Sequence, residues 1–428
     1  MEKIINTSSL ERWGKRDTAW MIGLYGTAIG AGTLFFPINA GIGGLWPLLI
    51  MTILAFPLTY FSHLGLSRFI LSGSTKDGDI TKVVTEHFGA KIGNVITLLY
   101  FCAIYPILLV YSVAITNTVL SMIRHEFNIA LSDDIGTRAI FSFILLALLM
   151  SIARLGGATI VRTMGLLVYP FICALILIAI YLIPNWTMAI IDNNENIAQA
   201  ITHKEFYKTL WLTIPIMVFS FNHSPIISSF SVAQKTLHPN NPQEGAKRIL
   251  CRAHIMMVFS VMFFTFSCIF SLTTADLIAA KQQNIGILSY LANHFRNPFI
   301  AWVAPIIAIL AISKSFLGHY LGTKEGLIGL MTQGLHLAKK SDKQHYLEKV
   351  TIIFIFLTCW KVAIVNPSIL GMIETLGGPI IAILLFLMPM YAIHKVPALR
   401  QYKGAISNIF VTVSGLIALS AIFYTLFI

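Results

Sequence analysis

Gly23-Leu24-Tyr25-Gly26-Thr27-Ala28-Ile29-Gly30-Ala31-Gly32-Thr33-Leu34-Phe35-Phe36-Pro37 is the stretch that decides the fold. It is apolar enough to lie in a membrane. Yet glycines at 26, 30 and 32, with Thr33 and then Pro37, make a continuous helix costly through its middle. A helix broken inside a bilayer leaves backbone N–H and C=O groups that are tolerable only where they line a cavity or bind something. Small residues four apart also let helices approach closely, so a glycine-rich packing face accounts for the same residues. A second interrupted stretch near residue 220 favours the break.

The chain's 428 residues are 56% hydrophobic and 11% charged, against about 25% charged in a soluble domain. That composition belongs to an all-α polytopic membrane protein. Its apolar runs follow one another with short connections, so it reads as one integral unit. The net charge of +12 is spread over loops that alternate along the chain, which argues against a nucleic-acid partner. Five cysteines (102, 173, 251, 268 and 359) are isolated in apolar segments without a CxxC spacing, and read as packing residues, neither disulfides nor metal ligands. The first 17 residues are polar and no small-residue cleavage site follows a short apolar core, so no cleavable signal is expected.

Stretches of roughly 20 apolar residues mark spanning helices. Eleven are expected, at about 18–43, 45–71, 92–123, 137–153, 162–183, 209–232, 247–272, 297–322, 347–365, 368–392 and 404–427. With a cytoplasmic N-terminus, 22 lysines and arginines fall in inside loops and 6 in outside loops. This bias sets the N-terminus inside and, with eleven spans, the C-terminus outside. Arg154 and Arg162 bracket an inside loop and read as orientation signals. Residues 79–88 read as a short amphipathic helix on the inside, ended by Gly89. Outside, Asp276 is expected to cap one short helix, and residues 285–295 read as another.

In the sixth span, Pro215-Ile216-Met217-Val218-Phe219-Ser220-Phe221-Asn222-His223-Ser224-Pro225 places polar residues near the membrane midplane. Pro225 removes a backbone donor and biases Ser224 away from helix. The first and sixth spans are thus both interrupted, five helices apart. Paired broken helices at matching places in two halves point to a binding site between inverted repeats.

Four motifs carry a resemblance. They are Gly26-Thr27-Ala28-Ile29-Gly30-Ala31-Gly32, Ala103-Ile104-Tyr105-Pro106, Phe219-Ser220-Phe221-Asn222-His223-Ser224-Pro225 and Ser313-Lys314-Ser315-Phe316-Leu317-Gly318-His319-Tyr320. Together they resemble the hydroxy and aromatic amino acid permeases, in particular the serine/threonine branch, over essentially the whole chain. The resemblance implies a leucine-transporter-like fold of five plus five inverted-repeat helices with one extra helix. On that division, 1–17 is a cytoplasmic segment, 18–183 and 209–392 are the repeats, and 404–428 is the eleventh helix. It also implies proton-coupled uptake of an amino acid across a bacterial inner membrane, with the C-terminus periplasmic.

The residues fit such a substrate. Free N–H groups around Gly30, Ala31, Gly32 and Thr33, at the positive end of a half-helix, suit a carboxylate. Unwound carbonyls near Ala28, Ile29, Phe219 and Ser220 suit an ammonium. Asn222, His223 and Ser224 are candidates to bind a substrate hydroxyl, and Tyr105 offers another hydroxyl. Interhelical hydrogen bonds explain Asn222 and His223 equally, and ordinary aromatic packing explains Tyr105.

Lys314 is too deep for easy snorkelling, and intramembrane ionisable residues are functional candidates by default. In the related fold, carbonyls of an early span and hydroxyls of the eighth hold sodium. A lysine ammonium there stands in for the metal ion, and a buried lysine can exchange its proton. A charged strut satisfied by carbonyls is the alternative. Ser313 and Ser315 flank it, and His319 lies one turn further on as a relay member or a packed histidine. Glu374 lies roughly 9 Å into the tenth span at ~1.5 Å per residue, as an outer gate, a proton acceptor or a helix-end contact. Lys361 is expected to snorkel.

No HExxH, GxSxG or paired-carboxylate motif lies in the spans, so an enzyme is not expected. A channel would need a polar stripe or filter repeat, and neither occurs. The expected function is L-serine import, with L-threonine as a possible second substrate. A sodium-coupled carrier, one selective for cysteine or aromatic amino acids, and a non-transporting sensor remain as alternatives. The expected partners are a small amino acid and membrane lipids, with no obligate protein, no metal and no cofactor beyond the coupling proton.

Overall fold

The computed structural model describes residues 12–74, 78, 80–132, 134–153, 157–187, 189–192, 197–295, 297–334 and 344–427. Of the charges that set the expected orientation, Lys3, Lys76, Arg154, Arg296, Lys339, Lys340 and Lys343 lie outside them. The described residues are helical and contain no strand. In order they form α1 Lys15–Ala28, α2 Ala31–Ile42, α3 Leu45–Leu71, α4 Ile80–Phe88, α5 Ala90–His125, α6 Ile135–Ala153 and α7 Gly157–Leu182. Two single-turn helices follow, α8 Ala189–Asp192 and α9 Ile197–Ala200, then α10 Lys204–Ser220, α11 Ser224–Leu237 and α12 Pro242–Phe270. The rest are α13 Thr274–Gln282, α14 Ile287–His294, α15 Pro298–Gly334, α16 Gln344–Val365, α17 Ile369–Lys395 and α18 Ile406–Phe427.

Among the described residues seven helices are long and apolar enough to cross a membrane, or nine when each bent pair counts as one span. The remaining two expected places are helical as α16 and α18. Large apolar side chains such as Ile53, Phe259, Ile135 and Ile409 point outward. In water such a surface would be an aggregation liability; in lipid it is the matching solvent. The eighth expected span runs on to Gly334, twelve residues past its expected end. This extension lies along α5, and Gly322 and Gly326 bring it against Ile104 and Phe101.

Local chemistry sets the joints. Gly44 and Gly89 take φ of 88° and 83°, where a side chain is strained, and separate α2 from α3 and α4 from α5. Asp276 is not itself the cap of α13. Thr273 is, accepting from Asp276 N–H at 3.2 Å while the Asp276 carboxylate accepts from Thr273 N–H at 2.9 Å. In this loop burial works against the ionised carboxylate, but bonds from Thr273 and Tyr290 and the charge of His294 hold it below its ordinary range. α17 holds two widened turns, Ile373–Gly377 and Ile383–Leu387, bonded i to i+5.

Candidate substrate and coupling site

Both expected breaks are present. α1 and α2 meet at Ile29 and Gly30 with a bend of 58°, and α10 and α11 meet at Phe221, Asn222 and His223 with a bend of 49°. At the first break Thr33 Oγ1 donates to Gly30 C=O at 2.7 Å, closing one freed carbonyl. The first-turn N–H groups of α2, on Ala31, Gly32 and Thr33, have no carbonyl one turn earlier to bond within the helix. At the second break Asn222 Oδ1 accepts from Ser224 N–H at 3.1 Å. The two breaks touch, because Ser220 Oγ donates to Gly32 C=O at 3.1 Å.

The glycines permit this approach. A Cβ on Gly32 would sit 2.9 Å from both Phe219 Cδ1 and Ser220 Cα, and one on Gly30 would collide with Ser315 Oγ. Phe219 lies between the breaks and α17, since a Cβ on Gly377 would stand 3.0 Å from its ring.

Lys314 comes from α15 and is 3% exposed. Its Nζ donates to Gly26 C=O and, at 3.3 Å, to Ile29 C=O. Phe171 of α7 lies 5.7 Å beneath the ammonium, close enough for a cation–π contact. The ammonium therefore ties the eighth expected span to the carbonyls released by the first break. A cavity of ≈ 710 Å³ runs along α1 from Arg16 to Lys314, lined also by Trp20, Gly26, Ile226 and Thr236. On the other side of the breaks a polar contact joins three helices. Asn39 Nδ2 donates to Glu374 Oε1 at 3.2 Å, and Thr213 Oγ1 donates to Asn39 Oδ1 at 3.1 Å, tying α2, α10 and α17 together. Glu374 thus makes a polar contact between helices at that mouth.

Ser315 lies by Gly30, and His319 Nδ1 donates to Ser315 C=O at 2.8 Å. Ser313 is half-buried. Tyr105 is not brought to the breaks. Its ring stacks between Phe101 and Phe354 at 5.2 and 5.9 Å, and its hydroxyl engages Thr358 of α16. Tyr111 takes the expected place instead, bonded to Ser315, edge-on to His319 at 5.1 Å and 6.4 Å from Phe219. Six residues at about 100° each put the two tyrosines roughly 240° apart on α5, so only one can face the breaks. His223 is turned to His63 and His254, with its ring wholly buried.

Tyr111→Phe is expected to weaken substrate binding about 5- to 12-fold, the loss of one hydrogen bond of about 1–1.5 kcal/mol. Tyr105→Phe is expected to leave it unchanged. Equal effects in a binding titration on the purified chain would remove Tyr111 from the site.

Residues 18–426 match the tryptophan/tyrosine permease family. The chain belongs to that family. The permease is 59% identical over 424 residues to the serine transporter SdaC of Escherichia coli K12, covering 99% of this chain and 98% of the relative. It is 46% identical over 434 residues to the threonine/serine transporter TdcC of Escherichia fergusonii, covering 97% and 96%. Among solved structures, MhsT in complex with L-phenylalanine superposes with a TM-score of 0.54 at 15% identity, covering 97% of the permease and 99% of that chain. This likeness shows the fold, that of the leucine transporter. The permease is a multi-pass membrane protein of that architecture, and a carrier of amino acids rather than an enzyme.

Proposed function

We propose that the permease imports L-serine, and L-threonine as a second substrate, together with protons across a bacterial inner membrane. The contact of Lys314 with the Gly26 and Ile29 carbonyls carries this reading. It puts a tethered cation between the first and eighth spans, where the resemblance implies sodium in relatives. The names of the relatives support the substrates. The loop charges support a cytoplasmic N-terminus and a periplasmic C-terminus. With that orientation the cavity along α1 faces the cytoplasm and the Asn39–Glu374 contact closes the periplasmic side.

In this reading 18–183 and 209–392 are the two inverted repeats and the substrate sits where their broken helices meet. The N–H groups of Gly32 and Thr33 hold its carboxylate, and the Ala28, Phe219 and Ser220 carbonyls its ammonium. Tyr111, Ser315 and Asn222 are the nearest groups for its hydroxyl.

Counterflow of radiolabelled L-serine in sodium-free proteoliposomes tests this. L-serine and L-threonine should exchange, and L-alanine should compete about 5- to 150-fold less well. Groups left unpaired by the missing hydroxyl cost about 1–3 kcal/mol. Absence of exchange by any amino acid would make the chain a sensor; alanine competing as well as serine would remove the hydroxyl from recognition.

A further inference from the structure

Three histidines from three helices meet beside the second break. His63 of α3, His223 at the head of α11 and His254 of α12 are 1%, 0% and 0% exposed. The rings of His63 and His223 stack in parallel at 3.6 Å, and His254 lies tilted at 4.9 Å from His223 and 5.3 Å from His63. Each Nδ1 faces a backbone carbonyl, Thr59 at 2.7 Å, Phe221 at 3.0 Å and Leu250 at 2.7 Å respectively. A carbonyl only accepts. Each Nδ1 therefore carries the hydrogen, and in the neutral ring each Nε2 is a bare lone pair. His63 Nε2 accepts the backbone N–H of His223 at 3.3 Å. The Nε2 atoms of His223 and His254 are buried and have no donor among the described residues.

Two buried acceptors, on rings whose centroids lie 4.9 Å apart, each lack a hydrogen. We propose that His223 and His254 form a proton-binding site, in which a proton added to Nε2 of one ring becomes the donor to Nε2 of the other. One hydrogen bond then replaces two orphaned lone pairs, and the proton leaves by the same Nε2 atom. The Thr59 carbonyl also engages His254, as a second acceptor for the charged ring.

A metal ion fits less well. It needs lone pairs that converge, whereas the parallel stack holds those of His63 and His223 side by side, and that of His63 is already engaged. Among the described residues no carboxylate belongs to the cluster to offset a divalent charge. The other groups facing the trio are Ser62 at 3.5 Å from His63, and Tyr60, whose ring meets His254 edge-on at 5.8 Å. Tyr25 of α1 is held apart by its 2.6 Å bond to Ser260.

Because His223 is a residue of the break, a proton here fastens the broken sixth span to α12, beside the existing bond of His223 N–H to His63 of α3. Lys314 fastens the first helix to α15. The two sites thus govern different breaks, and this one is tested without any substrate, independently of the transport reading.

The test is nitrogen-15 NMR of the full chain, labelled at histidine, in lipid nanodiscs over roughly pH 8 to 3. His223→Gln and His254→Gln assign the signals by difference. At the upper end both rings should show one N–H and one bare nitrogen. As the pH falls, the two bare signals should move together, and each Gln variant should lose that movement in the ring that remains. A coupling between the two Nε2 nuclei across the shared hydrogen bond decides the matter in the wild type if a variant folds poorly. Bare signals that persist over the whole range, as beside a trapped water, would overturn the proposal. So would their displacement at pH 8 by one equivalent of zinc, which would make the cluster a metal site.

Discussion

Lys314→Arg is expected to abolish proton-driven accumulation of L-serine while exchange of serine across the membrane continues. With one proton per substrate, a gradient of one pH unit sets a ceiling of about tenfold accumulation in the wild type. The variant should reach no accumulation. The reason is chemical, since guanidinium stays charged while a lysine can give up its proton. Arginine still offers donors to the Gly26 and Ile29 carbonyls, so the bridge between α1 and α15 persists in its locked form. Lys314→Ala should also fail to accumulate, and in addition leaves two buried carbonyls without their donor, at about 1–3 kcal/mol each. The measurement is uptake into sodium-free proteoliposomes under an imposed pH gradient, beside counterflow on the same preparation. Full accumulation by a well-folded Lys314→Arg chain would reduce the lysine to a strut.

Gly32→Val is expected to remove substrate binding with normal membrane insertion. Its Cβ would meet an aromatic carbon and a backbone Cα, both at 2.9 Å. The ring of Phe219 is held on its other side by Gly377, and the Ser220 backbone has little room because Ser220 Oγ is itself bonded to Gly32 C=O. Overpacking of this kind costs about 1–3 kcal/mol, roughly 5- to 150-fold in affinity when it displaces the binding backbone. Gly329→Ala is the control, since its Cβ would have no neighbour within 4 Å. Unchanged affinity in Gly32→Val would place the carboxylate site elsewhere.

The breaks were legible because their cause is local. Glycine and proline act on the backbone within a turn, so Gly30, Gly32 and Pro225 mark the joints without knowledge of neighbours. Lys314 was legible because a charge in an apolar run needs a partner wherever it lies. Tyr111 was not. Of the tyrosines at 100, 105 and 111 in α5 only Tyr105 reads as a candidate, and which one faces the breaks depends on how α15 and α16 pack around that helix. Pro106 drew attention to its neighbour, yet α5 continues through it. The histidine cluster was hidden for the same reason, since positions 63, 223 and 254 share nothing in sequence and meet only when α3, α11 and α12 pack. Helix ends were least legible, as the run of α15 to Gly334 is set by its lie against α5.

The two widened turns of α17 have a consequence for how its sequence should be lined up with others. A turn bonded i to i+5 accommodates roughly one residue more than the α turn it replaces, and does so without rotating the helix on either side. The contacts of Asn39 with Glu374, inside the first turn, and of Gly65 with Met390, below the second, therefore keep the register of a helix at least one letter shorter. A length difference of one residue inside Ile373–Gly377 or Ile383–Leu387 is absorbed where it falls. The same difference elsewhere in α17 would swing half of the helix by about 100°. Gaps in this helix belong at those two turns, and a comparison that forbids them will pair the wrong faces.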